Sequence, residues 1–241
     1  MMGLRSTVEK LIRRLKHDPA YQVDAAISTV ELLEILMGRG ITALRGLWVR
    51  RRLGGARGLL FVGHDVRLQH SRHIHTGRNV TLEDGVRIDA LSRSGVRLGD
   101  NVSIGRYTVI ETSGVLTKLG IGFEMGANSN LGDFSFVGAA GGVIIGSNVL
   151  GGQRVSFHSE NHRYERIEVP MKEQGVTSQG IRVEDDCWLG SGAILLDGVT
   201  IGRGSIVAAG SVVTHSVEPL SIVGGAPARL LRRRGSQEMT V

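Results

Sequence analysis

The sequence predicts an all-β chain: a parallel solenoid wound from six-residue repeats over about Val62 to Val217, with a short α-helical extension before it. Three observations carry that prediction. Val183, Leu189, Leu195, Ile201, Val207 and Val213 recur at intervals of six. Gly is abundant (35 residues) while aromatic residues are scarce (4%), so the interior must be filled by Val, Ile, Leu and small side chains. The spacing also leaves no room for the helices of about 10 residues or more that would separate the strands of a wound α/β sheet.

The repeats justify the elements one by one. The clearest blocks read VEDDCW, LGSGAI, LLDGVT, IGRGSI, VAAGSV and VTHSVE, each with a small or β-branched residue in fifth place. The same phase recurs at Leu119, Met125, Leu131 and Val137, then, after a slip of two residues, at Ile145 and Gly151; earlier copies begin at Leu82, Leu98 and Ile104. In parallel strands a period of six means one short strand and one corner per hexad, with the leading aliphatic inward and Gly or Asn permitting the turn. Three hexads close a triangular coil. Coils stack at about 4.8 Å, so roughly seven fit the repeat region. Cys187 occupies a fifth place, where Ala193, Val199, Ser205 and Ser211 stand in other blocks, and reads as an inward packing residue. It is also the only cysteine, which excludes an internal disulfide framework and fits the cytoplasm.

Ahead of the repeats, Val23 to Leu36 places most of its apolar residues on one helical stripe, and a second helical stretch runs from Ile41 to Arg52. The expected division is therefore a helical extension over 1–60, a solenoid over 61–218 with a loop at 158–182, and a C-terminal arm over 219–241. Two roles suit the extension: a cap over the strand edges of the first coil, or a helix lying on a membrane surface. Charges at Asp24, Glu31, Glu34, Arg39 and Arg45 leave no apolar run of about 18 residues to span a bilayer. Met1 to Asp18 lacks the apolar core and cleavage site of a signal peptide. The formal charge of +6 leans on Arg50 to Arg52 and Arg232 to Arg234, clusters that suit anionic lipid or cofactor phosphates; nucleic acid is not an expected partner.

The repeats stop after Phe157 and resume, out of phase, at Val183. Long polar excursions from a regular scaffold usually carry function. This one holds His158 and His162, which exchange protons near neutral pH. Residue type alone leaves a loop histidine more often solvated than catalytic. His64, His70, His73 and His75 invite a metal reading, but only His73 and His75 share strand alternation, and the pattern reads as a solvated face with no metal site.

The block pattern together with the run IGRGSIVAAGSVVTHSVEPLSIVGGAPARLLRR resembles the hexapeptide-repeat acyltransferases over about two thirds of the chain. The resemblance implies a left-handed β-helix and a homotrimer with active sites between neighbouring solenoids. Sugar and xenobiotic O-acetyltransferases of this fold carry an Asn-His or similar pair, a Pro-containing loop and a Trp-Ile-Gly block; the matching residues are Asn161, His162, Pro170 and Trp188, Leu189, Gly190. By that match His162 is the catalytic base and His158 has a packing or binding role. The backbone N–H at the Gly190 to Ser191 turn would meet the oxyanion. Acetyl-CoA would be held by Trp188, Ser191, Ala209, Thr214, His215, Arg229 and Arg232, with His215 standing where relatives usually have Lys. Asn130 and Asp133 would meet the acceptor together with Asn161 and Glu160, and Glu160 could orient His162.

The expected reaction is transfer of acetyl from acetyl-CoA to a sugar hydroxyl in surface or exopolysaccharide modification, in the cytoplasm or at the inner face of the membrane. A xenobiotic acetyltransferase is the alternative. A γ-class carbonic anhydrase would need a third histidine one or two coils from His158 and His162, and Leu119 to Gly151 contains none. A non-catalytic scaffold would not need the Asn-His loop, the Trp188 block and the C-terminal arm together.

Overall fold

The computed structural model describes residues 2–16, 19–115 and 117–235. Strands mostly of two or three residues alternate with tight corners and stack into three faces of seven, nine and seven strands, parallel throughout except for the last strand of the second face. The result is a left-handed parallel β-helix with a helical N-terminal extension. The first face runs through Ile74–Thr76, Phe123–Met125 and Ile181–Val183; the second through Val80–Leu82, Asn130–Leu131 and Trp188–Leu189; the third through Arg87–Asp89, Phe136–Gly138 and Ser156–His158. Pairing begins at Gly55, which lies beside His75, so the coils start before Val62.

The aliphatic residues of the repeat do point inward. Leu82, Leu98, Ile104, Met125, Leu131, Val137, Ile145, Val183, Leu189, Leu195, Ile201, Val207 and Val213 are all buried in one continuous core, which Phe123 and Phe157 help to fill. Each such side chain contributes about 1.5–3 kcal/mol by leaving water. Coils of 18 residues, three hexads, occur near the C-terminus, where Arg182 pairs with Thr200. Earlier coils are longer: 20 residues separate Phe123 from its partner Val143. The expected inward position Leu119 is therefore wrong. It is 38% exposed, because the chain bulges out between the third and first faces, with Ser113 bonding the Leu91 carbonyl and accepting the Gly120 N–H.

Two devices make the corners. Where the first face turns into the second, Asn79, Asn101, Asn128, Asn148 and Asp186 all have φ near 57–60°. This left-handed conformation costs most L-residues about 1–2 kcal/mol, and Asn and Asp tolerate it best. Their side chains link into a ladder, each Asn amide donating to the next residue at 2.8–3.3 Å. Carboxylates in other corner positions accept a backbone N–H from the preceding coil: Asp100 from Arg78 and Asp185 from Ser147, each at 2.8 Å. Those N–H bonds hold both carboxyls below the ordinary range.

The N-terminus is organised differently from expectation. A helix α1 (Met2–Lys16) precedes a single long helix α2 (Thr29–Val49), which ends in a 3-10 turn at Arg50–Arg52. The two separate helices over Val23 to Leu36 and Ile41 to Arg52 are thus one, because no proline interrupts them. Its start is delayed to Thr29 by Ser28, whose hydroxyl accepts the Glu31 N–H while Glu31 accepts the Ser28 N–H. Leu32 and Gly46 are buried. Gly46 lies so close to the first coil that a Cβ there would come 1.7 Å from the Leu60 carbonyl oxygen. At the other end, Ser221–Gly225 and Ala228–Arg233 form an antiparallel hairpin that closes the second face. Residues 236–241 of the expected arm lie outside the described residues.

Candidate active site

The excursion leaves from the edge between the third and first faces. Ser159, buried there, donates to the Gly138 carbonyl at 2.7 Å and accepts the Gly141 N–H at 2.9 Å, which fixes the exit. Asn161–His162 then pairs antiparallel with Val176–Thr177, and the Gln174 side chain ties the tip to the backbone of Arg166 and Val169. The return is pinned by Asp197, whose Oδ1 accepts the N–H groups of both Gln179 and Gly180 at 2.8 Å. Asp197 is only 9% exposed, and its Oδ2 is buried with no hydrogen-bond partner among the described residues.

His162 stands exposed on this hairpin, and its ring makes no hydrogen bond or ion pair with another described residue. Glu160 does not orient it. The Glu160 carboxylate accepts from the Ser178 hydroxyl at 2.9 Å and is engaged in the base of the hairpin. His158 packs its ring 5.5 Å from that of Phe136 on the outer surface of the third face. Thr214 and His215 lie further along the same edge, joined by a 2.8 Å hydrogen bond between Oγ1 and Nδ1.

A different edge, between the second and third faces, holds Asp133, Ser191 and Ala209. Asp133 accepts the Arg106 N–H at 2.7 Å, as Asp84 accepts that of His64. In the coil after Ser191 the residue at that place is Ala209, which has no side-chain acceptor. The Ser191 N–H therefore stays unbonded among the described residues, while its hydroxyl donates to Gln153 at 3.3 Å. On the second face itself, Asn130 donates to the Gly151 carbonyl at 2.9 Å, and the exposed Trp188 lies between Leu150 and Ile206. Arg229 and Arg232 are on the closing hairpin opposite Gly224 and Ile222. One chain thus brings His158, Glu160, Asn161, His162, Thr214 and His215 to one edge, and Ser191 and Ala209 to another.

Cys187 is buried, its Sγ 3.3 Å from the Gly202 carbonyl oxygen, and burial pushes the thiol pKa up, which disfavours a thiolate nucleophile. His70 bonds Asp89 at 2.7 Å. His73 sits in a 3-10 turn before the strand that carries His75, so the two do not share strand alternation as expected. Among the described residues no three His, Cys, Asp or Glu side chains gather to hold a metal ion. Asp197 escaped the sequence reading because it shares its hexad place with Asp185, Ser191, Arg203 and Ala209, and nothing in the repeat sets it apart.

Comparison with known proteins agrees with this fold. Residues 180–215 match the family model described as bacterial transferase hexapeptide (six repeats). A provisionally assigned acetyltransferase of Mycobacterium tuberculosis is 29% identical over 181 residues, 74% of this chain and 51% of that protein. WbbJ of Escherichia coli, provisionally assigned as a lipopolysaccharide biosynthesis O-acetyl transferase, is 23% identical over 69% of this chain and 74% of its own. The chain spans about half or less of the length of several other curated relatives. Among solved structures, a point mutant of AntD, an N-acyltransferase from Bacillus cereus in complex with dTDP-4-amino-4,6-dideoxyglucose and coenzyme A, superposes with a TM-score of 0.52. It is 18% identical, with 88% of this chain and 91% of that one covered, a likeness of fold. Residues 180–215 are thus similar to transferase hexapeptide repeats, and the hexad core and the three stacked faces continue the same architecture through the rest of the solenoid.

Proposed function

We propose that the chain transfers an acetyl group from acetyl-CoA to a sugar hydroxyl in surface or exopolysaccharide modification, with His162 as general base. The observation that carries this reading is the position of His162: an exposed imidazole, unpartnered among the described residues, on a hairpin rooted at both ends. A sugar hydroxyl is a poor nucleophile at neutral pH, so neutral imidazole takes its proton as the oxygen attacks the thioester carbonyl. The Ser191 N–H is an available donor for the oxyanion, and the coenzyme A thiolate leaves without needing a strong acid. Small residues at Ala209 and Gly210 leave the second–third edge open to a thin substrate arm, and Arg229 and Arg232 offer cations for phosphate. The likeness to WbbJ supports a glycan acceptor.

His162, with Thr214 and His215, and the donor contacts Ser191 and Ala209 occupy different edges of one prism, so a complete site needs a second copy. A homotrimer in which the hairpin edge of one copy faces the Ser191 edge of the next supplies it. A cytoplasmic enzyme at the inner face of the membrane would meet lipid-linked glycans there.

The test is release of thiol from acetyl-CoA with nucleotide sugars, lipid-linked oligosaccharides and antibiotics as acceptors. His162→Ala should lower kcat by about 10²–10⁴ with a sugar acceptor. Equal activity in the variant would overturn the base assignment, and turnover with antibiotics alone would overturn the acceptor class.

A further inference from the structure

Cap and membrane surface are not competing roles for α2, because the helix has two apolar sides. Leu32 and Gly46 are buried against the protein. Val30, Leu33, Met37, Ile41, Leu44 and Trp48 are exposed, Leu44 at 62% and Trp48 at 71%. These six recur three or four residues apart, the spacing that aligns side chains along one helical face. A continuous apolar stripe left in water is costly and marks a contact surface.

Charge identifies what covers it. The first 52 residues hold ten Lys and Arg against five Asp and Glu, while the rest of the chain holds 19 against 18. Nearly all of the net charge of +6 therefore belongs to the segment that carries the stripe. At the end of the helix Arg50, Arg51 and Arg52 are exposed, and the Arg51 guanidinium lies 5.1 Å from the centre of the Trp48 ring. The acidic Glu31 and Glu34 are confined to the opposite end, and Glu31 is tied into the Ser28 cap. A parallel second copy of this helix would bring like charge beside like charge, and an antiparallel copy would set three arginines against only Glu34 and the cap-bound Glu31. An anionic surface complements it. No helix among the described residues is long and apolar enough to cross a membrane, so the contact is with a surface.

We propose that α2 lies flat on an anionic phospholipid bilayer, its stripe at the acyl boundary and Arg50 to Arg52 against the lipid phosphates. A buried apolar face and a basic flank act together in such binding. The proposal rests on the N-terminal segment alone and its test reads no activity, so it stands or falls separately from the acetyl-transfer reading.

The experiment is sedimentation of the full-length chain with vesicles of phosphatidylcholine, with and without about 30 mol% phosphatidylglycerol. Binding should require the anionic lipid and fall about tenfold or more when salt is raised to about 0.5 M. Leu44→Asp and Trp48→Ser should each weaken binding by about tenfold or more, with unfolding temperature and particle mass unchanged. Equal behaviour toward the two vesicle types, or variants that bind as wild type, would overturn the proposal. So would wild type that stays off vesicles while the variants change the particle mass, an outcome that assigns the stripe to contacts between copies.

Discussion

Asp197 shows what one residue does for the candidate site. A single carboxylate oxygen receives two backbone N–H groups at the point where the excursion rejoins the coils, so the register of the hairpin that carries His162 depends on it. Hydrogen bonds to a charged group contribute about 1.5–3 kcal/mol. Asp197→Ala should therefore lower kcat with a sugar acceptor by about tenfold, while the KM for acetyl-CoA moves less than about twofold. Asp197→Asn keeps an acceptor at Oδ1 and should recover most of the loss. A variant whose KM for acetyl-CoA changes as much as its kcat would show that Asp197 supports the solenoid generally instead of positioning the hairpin.

Among the elements, α2 is the one whose glycines can be told apart by their surroundings. Gly46 meets the Leu60 carbonyl, whereas nothing lies within 4 Å of a Cβ built at Gly38 or Gly40. Gly46→Val should lift the helix from the first coil, costing about 1–3 kcal/mol of stability in urea unfolding and opening the N-terminus to protease. Gly38→Ala should instead stabilise by about 0.5–1 kcal/mol, since the helix interior gains a better helix former at no steric cost. If the two substitutions were equally tolerated, the close approach of α2 to the coil would be wrong. The sequence pattern of α2 could show its apolar stripe but not its second, buried side, because Gly46 contributes to packing by having no side chain at all.

For the whole molecule, the proposed site divides between two edges of the prism, and that division is the main consequence of the proposal. The hairpin and the Ser191 edge lie on different edges of one chain, so under the proposed reading His162→Ala and a donor-edge variant such as Ala209→Trp should damage different halves of each site. Each should be inactive as a pure oligomer, and co-refolded mixtures should regain about a quarter of wild-type activity, the statistical share of interfaces with both halves intact. Mixtures no more active than their components would place the whole site within one chain.

The sequence by itself determined the fold and where it is interrupted. A six-residue aliphatic period has few other uses, and Val183 to Val213 could be assigned inward before any coordinates because burial imposes the period. The same logic failed at Leu119, where extra residues at a corner preserve the apparent phase but turn the side chain out. Tertiary structure alone decided which edge each candidate residue occupies. It separated His162 from Ser191, gave Glu160 to Ser178, bound Asp133 to the Arg106 N–H, and revealed Asp197 beneath the loop. Coil lengths differ along the chain, from 18 residues between Arg182 and Thr200 to 20 between Phe123 and Val143 and 27 between Ser103 and Asn130. Edge assignment depends on the summed length of every preceding coil, and a local repeat carries no record of that sum.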